Sequence, residues 1–200
     1  MGMFSRKDMI RLFGPLLVEQ LLAVLVGMAD VVMVAAVGET AVSGVALVDS
    51  ISVLVIQVLS AMATGGAVVC SQYIGKKKPD QACRAAGQLV LITAALSLLI
   101  AAVAFIGNRH LLRLIFGSVE TAVMDNAQTY FWFTAMSYPF LALYNSGAAL
   151  FRSMGNSKIS MQASIIMNVI NVIGDALFIF GFHWSVAGAA GASLISRMTA

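Results

Sequence analysis

Four carboxylates stand in stretches of this 200-residue chain that are otherwise apolar: Glu19, Asp30, Asp49 and Asp175. Around Asp30 the run Gly27–Val34, GMADVVMV, has no other polar side chain. An ionised carboxylate at mid-bilayer costs ~2.5–3.5 kcal/mol on insertion scales. It persists there if it faces a wet cavity, has a partner or carries a proton, because desolvation penalises the charged form. A carboxyl so placed can take up and release a proton, or exchange it for Na⁺.

Spacing gives these acids company. In the segment MNVINVIGDALF, Asn168, Asn171 and Asp175 recur at i, i+3 and i+7, one stripe of a helix. Tyr130, Thr134, Tyr138 and Asn145 recur at similar intervals in the preceding apolar run, and Pro15, Glu19 and Asp30 share one side of the first. Asp30 and Asp175 each lie seven residues before the outer end of their run, near Val37 and Phe182. That is ~10 Å below the surface in both cases, so the two carboxyls can share a proton or a cation. Asp49 falls near the same level, close enough to the outer end for partial hydration. The asparagines fit interhelical glue equally well.

The elements that must position these residues are membrane helices. Hydrophobic residues make up 60% of the chain, charged residues 10%, and mean hydropathy is +0.92, far from the ~25% charge of soluble domains. Runs of the ~20 apolar residues needed to cross a bilayer are expected at 12–37, 41–73, 85–106, 126–152 and 159–182. A further run opens at Val186 and is still apolar at Ala200. Its fifteen residues rise ~22 Å, less than a ~30 Å hydrocarbon core. The expected organisation is therefore residues 1–187 with five transmembrane helices and 188–200 as the start of a truncated sixth.

Arg6, Lys7, Arg11, Lys76, Lys77, Lys78, Arg84, Arg152 and Lys158 fall on one side of this layout, and only Arg109 and Arg113 on the other. Nine bases against two predict a cytoplasmic N-terminus. Lys76–Lys78 is explained by that anchoring, and no nucleic-acid partner is expected. Pro15 and Pro139 lie inside spans, where proline frees a carbonyl and bends the axis. Gly65-Gly66, Gly188 and Gly191 read as sites of close helix packing. Cys70 and Cys83 read as reduced structural thiols, and the twelve methionines as apolar filler. No HExxH, histidine cluster or phosphate-cradling loop is present, so neither an enzyme nor ATP-driven transport is expected.

Several phrases in order, GPLLVEQLLAVLVGMADVVMVAAVGETAVSGVAL, SQYIGKKKPDQA, GAALFRSMGNSK, NVINVIGDALFIFGF and VAGAAGASLISR, resemble the multidrug and toxic compound extrusion (MATE) transporters. The resemblance implies an all-α polytopic membrane protein, the N-terminal six-helix lobe of a twelve-helix transporter, with a C-terminal six-helix lobe beyond residue 200. It implies a multi-pass protein of the cytoplasmic membrane, in contact with lipid, that expels organic cations or other amphipathic drug-like compounds in exchange for H⁺ or Na⁺, with no cofactor beyond that ion. By likeness to the archaeal and DinF-like members, Asp30, Asp175, Asn171, Asn145 and Tyr130 match a cation or proton site, with Na⁺ possible at Asp30 and Asp175. Ser193 stands nearest the family's sixth-helix threonine, and Pro15 matches a proline linked to helix bending. Glu19, Asp49 and Asn168 are additional intramembrane polar candidates. A lipid or polysaccharide-precursor flippase is the first alternative. It is disfavoured because such proteins tend to line this cavity with bases, whereas the intramembrane charges here read as acidic. An ion channel is the second alternative.

Overall fold

The computed structural model describes residues 6–200, with side chains described from Phe13 onward. The side chains of Arg6, Lys7 and Arg11, used above to orient the chain, lie outside the described residues. Six helices follow in order: α1 (Arg6–Ala35), α2 (Glu39–Gly75), α3 (Pro79–Phe116), α4 (Thr121–Ser153), α5 (Ser157–Ala176) and α6 (Ser185–Thr199). A single π-helical turn, Leu177–Gly181, continues α5 directly beyond Asp175. The described residues form an all-α bundle.

Four of these elements are long and apolar enough to cross a membrane: α1 from Phe13, α2, α3, and α5 with its π turn. The segment over 126–152, read above as another such span, lies within α4, whose position explains its polarity. α4 packs against α2 and α3 on one side and α5 and α6 on the other, so it needs little lipid-facing surface. Its polar groups are answered by neighbours. Tyr138 Oη and Ser52 Oγ lie 3.1 Å apart, Thr93 Oγ1 and Ser146 Oγ lie 2.8 Å apart, and Asn108 Nδ2 donates to the Gln128 carbonyl at 2.9 Å. Phe131, Ala135 and Tyr138 fill the core between α4, α2 and α3.

Several boundaries depart from the hydropathy reading. α3 runs ten residues past Ile106, so Arg109 and Arg113 lie on its last turns rather than in a loop. A helix need not stop where hydrocarbon stops; this one ends at Gly117, whose φ of 69° suits glycine and few other residues. Arg152 likewise sits in the last turn of α4.

Small residues set the tightest helix contacts. A Cβ at Gly44 would stand 2.9 Å from the backbone of Val123 and Ala127, so α2 meets α4 there without room for any side chain. Between α5 and α6, Gly174 faces Ala192 and Gly188 faces Phe178, with 2.8 and 2.9 Å to the nearest atom. Such contacts substitute for the hydrophobic drive that lipid does not provide. The packing role expected of Gly66 and Gly188 matches this geometry. Gly65 borders open space instead, and Gly191 makes only an ordinary contact.

α1 is the least embedded helix. It packs mainly on α5 and only lightly on α2 and α6, leaving Leu17, Leu21, Leu25 and Met28 outward. Glu19 fastens its inner half. Its Oε2 accepts from Ser160 at 2.9 Å, and its Oε1 accepts from Tyr144 and Arg152 at 3.3 and 3.4 Å. Glu19→Ala strands Arg152 half-buried and should lower stability by about 1–2 kcal/mol, read as an earlier thermal transition in detergent. Gly44→Val should cost about 1–3 kcal/mol through overpacking, while Gly65→Ala leaves the same transition unmoved.

Candidate functional site

Five helices converge on a cavity of about 600 Å³. α1 contributes Glu19, Gly27 and Asp30; α2 contributes Asp49; α4 contributes Tyr130, Tyr144 and Asn145. α5 contributes Ser164, Asn168, Asn171 and Asp175, and α6 contributes Ser193, Ser196 and Arg197. α3 contributes no lining residue and packs mainly on α2 and α4.

The helical period explains why α5 feeds the cavity so regularly. Ser157, Ser160, Ser164, Asn168, Asn171 and Asp175 recur every three or four residues and are all buried, a polar stripe turned inward while Ile166, Val169 and Ile173 face out. The glycine-mediated approach of α6 then sets the facing partner. Asn171 Nδ2 donates to Ser193 Oγ at 3.2 Å.

Asp175 is 1% exposed. Its carboxyl lies against that of Asp30, close enough for a hydrogen bond between them once one carries a proton. Among the described residues neither Asp175 oxygen has another partner, and Asp30 Oδ1 and Asn145 Nδ2 are also buried without one. Tyr130 and Asp49 line the same cavity from α4 and α2. The counting argument from the two outer ends had put Asp30 and Asp175 at one depth, and the fold brings them into contact.

Not every polar residue of the sequence stripes belongs here. Thr134 donates to the Tyr130 carbonyl and Tyr138 meets Ser52, so the α4 stripe splits and only Tyr130 and Asn145 of the four face the cavity. Asn168 lines it while donating to Ser164. Glu19 lines its inner end, yet its oxygens are taken by Arg152, Tyr144 and Ser160, which makes it a fastening for α1. Pro15 lies within α1, away from the cavity wall.

One residue escaped the sequence reading altogether. Arg197, counted on neither side of the membrane, lines the cavity from α6 and donates to Ser137 Oγ. It acts through space on Asp30 and Asp49, without an ion pair to either. The intramembrane charge is therefore not acidic throughout, as the flippase comparison had assumed. The available signal was its spacing: Ser193, Ser196 and Arg197 fall at i, i+3 and i+4, on the face that Ser193 turns to α5.

Among the described residues no three or more His, Cys, Asp or Glu side chains form a metal-holding group. A small cation in this cavity would depend on the two facing carboxyls supplemented by neutral oxygens from Asn171, Asn145, Tyr130 or Ser193. The arrangement can hold a proton between two acids or a monovalent cation among oxygens.

The profile of the MatE family matches residues 15–177. The chain is 29% identical over 188 residues to the uncharacterized transporter YisQ of Bacillus subtilis, covering 94% of this chain and 41% of that protein. To the multidrug export protein MepA of Staphylococcus saprophyticus it is 24% identical over 195 residues, covering 97% and 43%. A solved MOP-superfamily transporter from Pyrococcus furiosus superposes with a TM-score of 0.89 at 21% identity, over 96% of this chain and 42% of that one. The chain thus spans about two fifths of the length of the relatives it matches. With the profile covering most of its residues, and the same bundle found in a solved transporter, this chain belongs to the MatE family of membrane transporters.

Proposed function

We infer that this chain is the ion-coupling lobe of a multidrug efflux antiporter in the cytoplasmic membrane, expelling cationic or other amphipathic compounds in exchange for H⁺ or Na⁺. The observation that carries this reading is the contact between Asp30 and Asp175, with three of their oxygens buried and unpartnered. Two ionised carboxylates so close in a poorly screened setting repel strongly. They are at ease with a shared proton or with a cation between them. Multidrug export is what the name of the staphylococcal relative describes.

Coupling follows from where the two acids stand. Asp30 rides on α1, which is outward over most of its length, whereas Asp175 is fixed in the tightly packed pair α5 and α6. An ion that joins the carboxyls holds the outer part of α1 against α5; its departure frees that part to move while Glu19 keeps the inner half fastened to Ser160. Pro15, fifteen positions before Asp30 on the same helix, lacks the amide hydrogen that would resist bending there. An ion shifts this equilibrium only by its differential affinity for the two arrangements. A drug that needs the free carboxylates, or the open position of α1, is then displaced by the ion and driven outward by its gradient. Asn171, Asn145, Tyr130 and Ser193 serve in this scheme as neutral ligands and proton-network partners.

The loop bases Lys76–Lys78 and Lys158 lie at the ends reached by even-numbered crossings from the N-terminus, which favours a cytoplasmic N-terminus. Since the relatives are more than twice as long, we infer that a second lobe completes the substrate pathway. The flippase alternative gains one point from Arg197. A phosphate-bearing lipid would nevertheless enter a cavity lined by four carboxylates and a single guanidinium, and the drug antiporter fits that balance better.

In cells carrying the natural gene, Asp30→Asn and Asp175→Asn should each reduce ion-driven efflux of a cationic dye at least tenfold at unchanged expression. Unimpaired efflux in both variants overturns the assignment. If Na⁺ is the coupling ion, a concentration of 100 Kd should stabilise the purified protein by about 2.7 kcal/mol, and the double variant should lose that response. A melting temperature indifferent to Na⁺ but shifted by pH only when both acids are intact points to H⁺ instead.

A further inference from the structure

We propose that Arg197 forms an anion subsite in the cavity, so that the preferred substrates are zwitterionic amphipaths with a carboxylate as well as a cationic group. The inference rests on the drug-cavity reading above and narrows its substrate class. A guanidinium carries five donors in a planar fork, and Arg197 uses one of its nitrogens on Ser137 Oγ. Among the described residues the single ion pair joins Arg152 to Glu19, so the Arg197 charge is neutralised by no carboxylate in contact. The other cavity charges with oxygens left open, Asp30 and Asp175, stand toward the opposite end. Asn171 and Ser193 fix the level at which α5 and α6 meet. From that level Asp175 lies one turn in one direction and Arg197 one turn in the other, together ~12 Å along the helix axes. The cavity is thus polarised, with acids at one pole and a guanidinium at the other.

That polarity has a consequence for ligands. A plain cation placed among Asp30, Asp49 and Asp175 leaves the Arg197 fork facing an apolar portion of the molecule, with its remaining donors unmet. A carboxylate at the second pole takes two of those donors in the bidentate geometry that guanidinium favours. Ser137, buried on α4, holds the guanidinium in place and reduces the ordering needed on binding. Asp30 and Asp49 are near enough to attract Arg197 but do not hold it, so an incoming carboxylate breaks no existing ion pair.

The test uses a fluorescent rhodamine with a free carboxylate and its methyl ester, which differ only in that group. Binding of each dye to the purified full-length transporter is followed by anisotropy for wild type, Arg197→Met and Arg197→Lys. Arg197→Met should weaken the carboxylate dye about tenfold or more, the loss expected for a charge-assisted hydrogen bond, and change the ester less than threefold. Arg197→Lys, which keeps the charge without the fork, should recover part of the difference. Equal losses for both dyes, or no loss for the acid, would show that Arg197 merely supports the fold and would overturn the subsite. Displacement of the carboxylate dye by short-chain phosphatidylethanolamine, with no displacement by a zwitterionic amino-acid amphiphile, would assign the subsite to lipid phosphate and overturn the carboxylate class. Failure of both dyes to bind wild-type protein would remove the drug-cavity reading itself, and this inference with it.

Discussion

Two carboxyl groups held against each other inside a bundle, away from bulk water, impose the condition to which the rest of this fold answers. A proton or a cation between them would relieve their mutual repulsion. The coupling scheme proposed above requires the protein to keep Asp175 in place, leave Asp30 on an element that can respond, and exclude other partners from their oxygens. The first task falls to α5 and α6, locked by glycine and alanine contacts that leave no slack. The second falls to α1, whose apolar surface is mostly outward and whose inner half is tied through Glu19. The third is met in part by Asn171, whose amide donates to Ser193 and not to the acids.

α4 shows how far hydropathy alone can mislead about position. Its sequence is less apolar than that of α2 or α3, although it is the most enclosed of the helices. In water, enclosure and apolarity go together. In a bilayer the outermost helices meet lipid and must be the most apolar, while a central helix can carry hydroxyls as long as each finds a partner. The contacts of Tyr138 with Ser52 and of Ser146 with Thr93 are such pairings, and they hold α4 to α2 and α3 while its opposite face is given to the cavity.

Much of the site was legible because the rise per residue of a helix is fixed. Counting inward from two outer loops was enough to put Asp30 and Asp175 at one level, and the three-four spacing on α5 put Asn168, Asn171 and Asp175 on one face. Rotation about each axis was much less legible, since it depends on neighbours far away in sequence. Tyr138 and Thr134 looked equivalent to Tyr130 and Asn145 by spacing, yet packing turned them to other surroundings. Glu19 looked like a fourth functional acid until Arg152, well over a hundred positions away, proved to be its partner. Arg197 was passed over because a charge near the end of a stretch of small residues was treated as neither loop nor span. Helix lengths failed for a related reason: α3 stops where Gly117 permits a reversal, ten residues after its apolar run gives out.

The large separation between Asp30 and Asp175 along the chain has a bearing on biosynthesis. The earlier acid leaves the ribosome 145 residues ahead of the later one, an interval of about 7–30 s at ordinary elongation rates. During that time the nascent first helix must reside in the translocon or the bilayer with Asp30 lacking its counterpart. Its surplus of leucine, valine and methionine, well beyond what one thinly packed helix needs for docking, supplies the insertion free energy that outweighs this acid until its counterpart is made.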